Sequence, residues 1–168
     1  MSSRPAIADS VLTADAHVAR QGDEGAEGRP LTDVAVGVLL QDDGRFLLTS
    51  RPLGKVYAGY WEFPGGKVES GESVQQALAR ELHEELGIEV AIDAVQLWRE
   101  QRVDYPHALV RLIFCKVTAW GGDLHMREGQ SFVWSGLPVR VEPVLPGAVP
   151  VLEWLAQEDC SQSIATNM

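Results

Sequence analysis

Residues 73–87 constrain this chain more than any other stretch, because they carry a start, a stop and two distinct faces of one helix. Ser73 followed three residues later by Gln76 forms a capping-box pattern, in which each side chain satisfies a backbone N–H near the other. Gly87 supplies the residue that adopts the left-handed conformation after the last turn at little cost. Leu78, Leu82 and Leu86 recur every fourth residue and form a narrow apolar stripe for burial. Glu81, Glu84 and Glu85 stand at i, i+3 and i+4, so they share one face, with Cβ atoms about 5–6 Å apart. The spacing predicts a helix that packs on a core through its leucines and lines a cleft with carboxylates. Like charges this close are unfavourable without a compensating cation. Hard oxygen donors suit Mg²⁺, with Mn²⁺ as a substitute, rather than Zn²⁺.

Upstream, Phe63-Pro64-Gly65-Gly66 reads as a loop whose paired glycines permit a tight turn and close approach to a ligand. The Gly65 carbonyl is a further candidate oxygen for the same metal, and Lys67 is placed to reach a phosphate. The remaining chain reads as strands and one further helix. Strands are expected at 34–40, 45–51, 89–99, 108–118 and 131–134, with Asp42-Asp43-Gly44 as a hairpin turn between the first two. Residues 146–156 read as a second amphipathic helix, with Val151, Leu152 and Leu155 inward. Strand hairpins mixed with two helices point to an α/β sandwich.

One folded domain is expected at 31–157. Residues 1–30 read as a flexible extension, polar and Gly-rich at 21–30 with a weak helix at 11–19, and 158–168 as a frayed tail. The formal charge of −10 excludes a binder of nucleic-acid polymers, which needs a basic face. A single nucleotide is different, since metal ions and a few local cations can meet its phosphates. No apolar span or leader pattern stands out, and Cys115 and Cys160 form no ligand or disulfide framework. A reduced, soluble, cytoplasmic protein without membrane contact is expected, as monomer or homodimer.

The pattern G-x5-E-x7-R-E-U-x-E-E-x-G-U, U being a bulky aliphatic, is met in full by Gly66, Glu72, Arg80, Glu81, Leu82, Glu84, Glu85, Gly87 and Ile88. It resembles the signature of the Nudix hydrolases. The flanks are most similar to the MutT-like branch, over roughly 34–155. They include Ala35-Val36-Gly37, Glu62-Phe63-Pro64-Gly65-Gly66-Lys67 and Arg127-Glu128-Gly129-Gln130. The resemblance implies a mixed β-sheet sandwiched between helices, and Mg²⁺-dependent hydrolysis of a nucleoside triphosphate to monophosphate and pyrophosphate. It implies a metal set of Gly65, Glu81, Glu84, Glu85 and Glu128, with Glu81 or Glu128 as general base and Arg80 orienting a carboxylate such as Glu72.

The same resemblance places Arg51 and Phe63 at the base, while Tyr105 and Trp61 are candidates to flank it. Ala148 occupies the position where the branch supplies an asparagine to the purine edge, and an alanine has no amide to read a base. Sanitation of oxidised dGTP is the leading expectation for the substrate, which would make the protein part of DNA repair. A CTP-type pyrimidine triphosphate or another nucleoside diphosphate derivative is the rival. The alternative of another class is a non-catalytic nucleotide-binding Nudix module.

Overall fold

The computed structural model describes residues 17–18, 29–105 and 108–166. Among them, nine-residue strand β2 (Leu31–Leu39) runs parallel to β7 (Ala108–Val117), and these two form the centre of a five-stranded sheet. The order is β1 (His17–Val18), β6 (Val95–Tyr105), β7, β2 and β5 (Gly65–Lys67); all other pairings are antiparallel. A smaller antiparallel sheet holds β4 (Trp61–Glu62), β3 (Phe46–Ser50) and β8 (Phe132–Ser135). Helix α1 spans Val74–Leu86 and helix α2 spans Val149–Thr166.

Alternation along β2 divides the core in two. Val34, Val36 and Val38 pack with Val110, Leu112 and Phe114 of β7 and with Val151 and Leu155 of α2. Ala35 and Leu39 turn the other way, onto Leu78, Leu82 and Leu86 of α1 with Ile113, Cys115 and Val117. A central parallel pair buried on both faces requires such apolar runs. The expected mixed sheet between two helices is therefore the observed α/β architecture. Each fully buried leucine of the α1 stripe contributes about 1.5–3 kcal/mol of transfer free energy. Burial pushes the Cys115 thiol up to about 11, so it stays protonated inside the core.

Four expectations change. The strand expected at 89–99 begins later: Glu89 forms an isolated bridge with Gly121, a 3-10 turn covers Ile92–Ala94, and β6 runs from Val95 to Tyr105. The register with β7, from Val95 opposite Val117 to Tyr105 opposite Ala108, sets those limits. The expected hairpin turn forms, but β2 and β3 join different sheets and meet only through the Leu40–Phe46 bridge. The second helix opens with a 3-10 turn at Pro146–Ala148 and continues through the tail that was expected to fray, because Glu158 is tied to Trp98 and Lys116. His17–Val18, expected as helix, is an edge strand paired with Asp104 and Val103, and Arg29 bonds Asp104 at 2.5 Å. The rest of the expected extension, 1–16 and 19–28, lies outside the described residues. Among the described residues no helix is long and apolar enough to cross a membrane.

Candidate active site

The capping box forms as the sequence implies. Gln76 N–H donates to Ser73 Oγ at 3.1 Å, Ser73 N–H donates to Gln76 Oε1 at 2.8 Å, and Gly87 closes the helix at φ 71°. With both ends fixed, α1 holds its carboxylates at the edge where β5 pairs with β2. Gly65 and Gly66 lie opposite Val36 and Ala35 in that pairing. A Cβ on Gly66 would lie 2.3 Å from Glu81 Cδ, and one on Gly65 would lie 2.1 Å from the Ala35 carbonyl oxygen. Both positions need glycine for close approach, and Gly66 brings the Glu81 carboxylate directly onto the strand backbone.

Arg80 organises the next layer. Its guanidinium grips Glu72 with Nε to Oε1 at 2.6 Å and Nη2 to Oε2 at 2.9 Å. Nη1 donates to Glu81 Oε1 at 2.8 Å, Nη2 donates to the Lys67 carbonyl at 3.1 Å, and Nη1 lies 3.7 Å from Glu84 Oε2. Bidentate Arg–carboxylate geometry is among the stronger hydrogen-bond arrangements. The Arg80 bonds, first, and then the Glu69 N–H hold the Glu72 carboxyl down at about 2. The expected Arg80–Glu72 pair is thus present, and the same side chain also fixes Glu81, which is only 5% exposed.

Glu85 is in the opposite state. Its half-buried carboxyl is raised well above the ordinary value, first by desolvation and then by Glu81, Glu128 and Glu62, with Lys55 opposing. Glu128 reaches this neighbourhood because residues 125–130 are stitched to the end of α1. His125 N–H donates to the Leu86 carbonyl at 2.8 Å, and Arg127 N–H to the Glu85 carbonyl at 3.1 Å. Buried Gln130 finishes the clamp: its Nε2 donates to the Glu85 carbonyl, and its Oε1 accepts from Glu128 N–H.

The expected base-side residues fall in different surroundings. Arg51 is 6% exposed rather than solvated; it donates to the Val56 carbonyl at 2.7 Å and to Glu62 at 3.0 and 3.3 Å. Phe63 is buried, its ring centroid 5.8 Å from that of Phe46, and Ala148 is buried in the same cluster. Tyr105 ends β6, and β7 and β2 lie between it and β5, a lateral separation of about 14 Å at about 4.8 Å per strand. The Tyr105 side chain lies outside the described residues. Glu62, Lys55 and Gln130 are the participants that sequence reasoning missed. Lys55 and Gln130 act across long sequence separations, while Glu62 pairs with Arg51 at the end of the neighbouring strand; Glu62 and Gln130 lay within the matched flanks, where no role was assigned to them.

A set of oxygen donors suits a hard dication, and such an ion would offset the desolvation, first, and the neighbouring carboxylate charges that raise Glu85. Among the described residues no three acidic, His or Cys side chains already converge on one ion position. Arg80 draws on Glu81 and Glu84, and Lys55 draws on Glu128. The residues fit the ion in chemistry and number, and Glu81, Glu84 and Glu128 are each paired with a cationic side chain.

The family model described as NUDIX domain matches residues 31–154. The chain belongs to the Nudix family of hydrolases, which generally need a divalent metal. It is 41% identical over 106 residues to an 8-oxo-dGTP diphosphatase of Haemophilus influenzae, covering 63% of this chain and 76% of that relative. It is 38% identical over 119 residues to a CTP pyrophosphohydrolase of Escherichia coli, covering 70% and 87%. A MutT structure from work on Aliivibrio salmonicida and Vibrio cholerae superposes with a TM-score of 0.62 at 34% identity, over 77% of this chain and 99% of that one. The solution structure of the E. coli ORF135 protein gives 0.64 at 35% identity, over 79% and 91%.

Proposed function

We propose that this protein is a cytoplasmic, Mg²⁺-dependent nucleoside triphosphate pyrophosphohydrolase, releasing monophosphate and pyrophosphate, with Mn²⁺ able to substitute. The observation that carries the reading is the intact α1 carboxylate row, with Glu81 pinned between Arg80 and the Gly66 backbone. Glu81, Glu84, Glu85, Glu128 and the Gly65 carbonyl are the proposed metal set. When bound, the dication neutralises phosphate charge and lowers the pKa of attacking water. The chain's own work is positioning. Arg80 fixes the direction of Glu81, which we assign as the base that takes the water proton, because it is the more buried of the two candidates and is seated against the Gly66 backbone. Lys67, exposed at the end of β5, is assigned to the phosphate chain. Arg51 borders the base through its fixed pair with Glu62, Phe63 supports that pocket from the core, and Tyr105 is kept as an outer contact.

Oxidised dGTP is the leading substrate, supported by the diphosphatase relatives. A CTP-type substrate is favoured by one observation: Ala148 offers no amide to a purine edge. The test is a pyrophosphate-release screen over canonical and oxidised nucleotides with Mg²⁺, comparing kcat/KM for the parent and Glu84→Gln. We expect a loss of roughly 100-fold in the variant, the scale for removing one electrostatic stabiliser. Equal rates would remove Glu84 from the metal set, and tight nucleotide binding without turnover in the parent would make the protein a binding module.

A further inference from the structure

Lys55 meets the carboxylate row from an element outside the signature, the loop between β3 and β4. That loop is closed at its neck: Arg51 N–H donates to the Tyr60 carbonyl at 2.8 Å and Gly59 N–H to the Arg51 carbonyl at 3.0 Å. Inside the loop, the buried Arg51 Nε holds the Val56 carbonyl, while Arg51 Nη1 is tied to Glu62. The next residue back, Lys55, is thereby delivered to Glu128, with Nζ 3.7 Å from Oε2 and both side chains 35% exposed. Its charge also reaches Glu85, where it opposes the effect of the surrounding carboxylates.

A half-exposed pair at this distance is worth at most about 1 kcal/mol. A dication brings twice the charge to the same oxygens and displaces the ammonium readily. The displaced group remains at the rim on a flexible four-carbon stem, beside the place where a polyanionic substrate must lie. We infer that Lys55 is an exchangeable cation of this site, holding Glu128 before the metal binds and contacting the phosphate chain of the nucleoside triphosphate afterwards. The inference rests on the proposed metal set and adds a substrate-binding residue to it. It makes two expectations of opposite sign for one substitution, which loss of packing alone would not produce.

The measurements are Mn²⁺ binding without nucleotide, by electron paramagnetic resonance or calorimetry, and binding of α,β-methylene-dGTP and α,β-methylene-CTP in saturating Mn²⁺. Lys55→Met is expected to bind Mn²⁺ alone up to about fivefold more tightly, since a competing cation is gone. It is expected to bind the triphosphate analogues about tenfold more weakly, the scale of a lost charge-assisted hydrogen bond. Lys55→Arg, which keeps the charge, should stay near the parent in both. Unchanged or weaker Mn²⁺ binding by Lys55→Met, or unchanged analogue binding, would overturn the inference while leaving the metal set intact. No Mn²⁺ binding by the parent would overturn both.

Discussion

Two half-buried glutamates on opposite helices have opposite electrostatic states, and they separate the two faces of the main sheet by purpose. Glu85 on α1 is raised by burial and by Glu81, Glu128 and Glu62. For Glu158 on α2, burial acts in the same direction, but hydrogen bonds from Lys116 and Trp98 outweigh it and the carboxyl is lowered. Around Glu158 the contacts are those of an anchor. Trp98 and Trp154 meet edge to face at 5.8 Å, Phe114 meets Trp154 at 5.3 Å, and the Arg99 guanidinium lies 5.6 and 5.2 Å from the two indole centroids. Around Glu85 the charges of Glu81, Glu128 and Glu62 accumulate, with Lys55 opposing them. The α1 face gathers carboxylates around the partly buried Glu85, and the α2 face is tied by the ion pair and ring contacts around Glu158.

If that division is right, substitutions on the α1 face should lower activity far more than those on the α2 face. The largest effect is expected from Gly66→Ala. Its Cβ would stand 2.3 Å from Glu81 Cδ, so the carboxylate must move by an ångström or more. Misplacement on that scale costs roughly 100-fold in rate, and steady-state kinetics on the best substrate measures it. Activity within a factor of about three of the parent would show that the seat of Glu81 on β5 has no catalytic use. The next effect is expected from Arg80→Met. It leaves Glu72 and buried Glu81 without their shared guanidinium, so both faces of the argument are touched. Urea denaturation should show a loss of about 2–3 kcal/mol, the scale of breaking hydrogen bonds to charged groups, together with roughly tenfold lower kcat. A variant that loses stability but keeps its rate would reduce Arg80 to a structural brace.

The same division explains what could be read from the chain alone. The cap at Ser73, the stop at Gly87, the leucine stripe and the Arg80–Glu72 pair are encoded within one helix and its entry loop. Local hydrogen bonding and periodicity determine them, and they appear as expected. The apolar run at 34–40 made strand β2 legible, although its division between two core clusters was not read from it. The start of β6 was not, because Glu89–Val90 is as strand-like as Val95–Gln96 and only the register with β7 chooses between them. The end of α2 was equally hidden: residues 157–166 are polar, and their order comes from Trp98 and Lys116 on distant strands. At the site, Lys55 and Gln130 escaped notice because each acts through a partner far along the chain, and Glu62 because its pair with Arg51 depends on the register of β3 with β4. Phe63 and Ala148 show the converse: positions matched to a family's binding residues lie here in the packed interior.

The smallest effect is expected on the α2 face, and its pH dependence makes it diagnostic. A carboxyl whose folded pKa lies below its unfolded value of 4.5 stabilises the fold above that value, and the contribution fades as pH falls through the lower folded value. Glu158→Gln keeps an oxygen for the Trp98 indole N–H and removes the charge that Lys116 holds. Near neutral pH it should cost about 0.5–1 kcal/mol, as a partly exposed ion pair does. The difference from the parent should shrink as the medium is acidified below 4.5, because the parent's own carboxyl then becomes neutral. Denaturation curves at neutral pH and in acid measure this, and turnover at neutral pH should stay within about twofold of the parent, since Glu158 lies on the face opposite α1. A large drop in turnover with little change in stability would mean that the tryptophan anchor transmits to the carboxylate row, and the separation of the two faces would then be wrong.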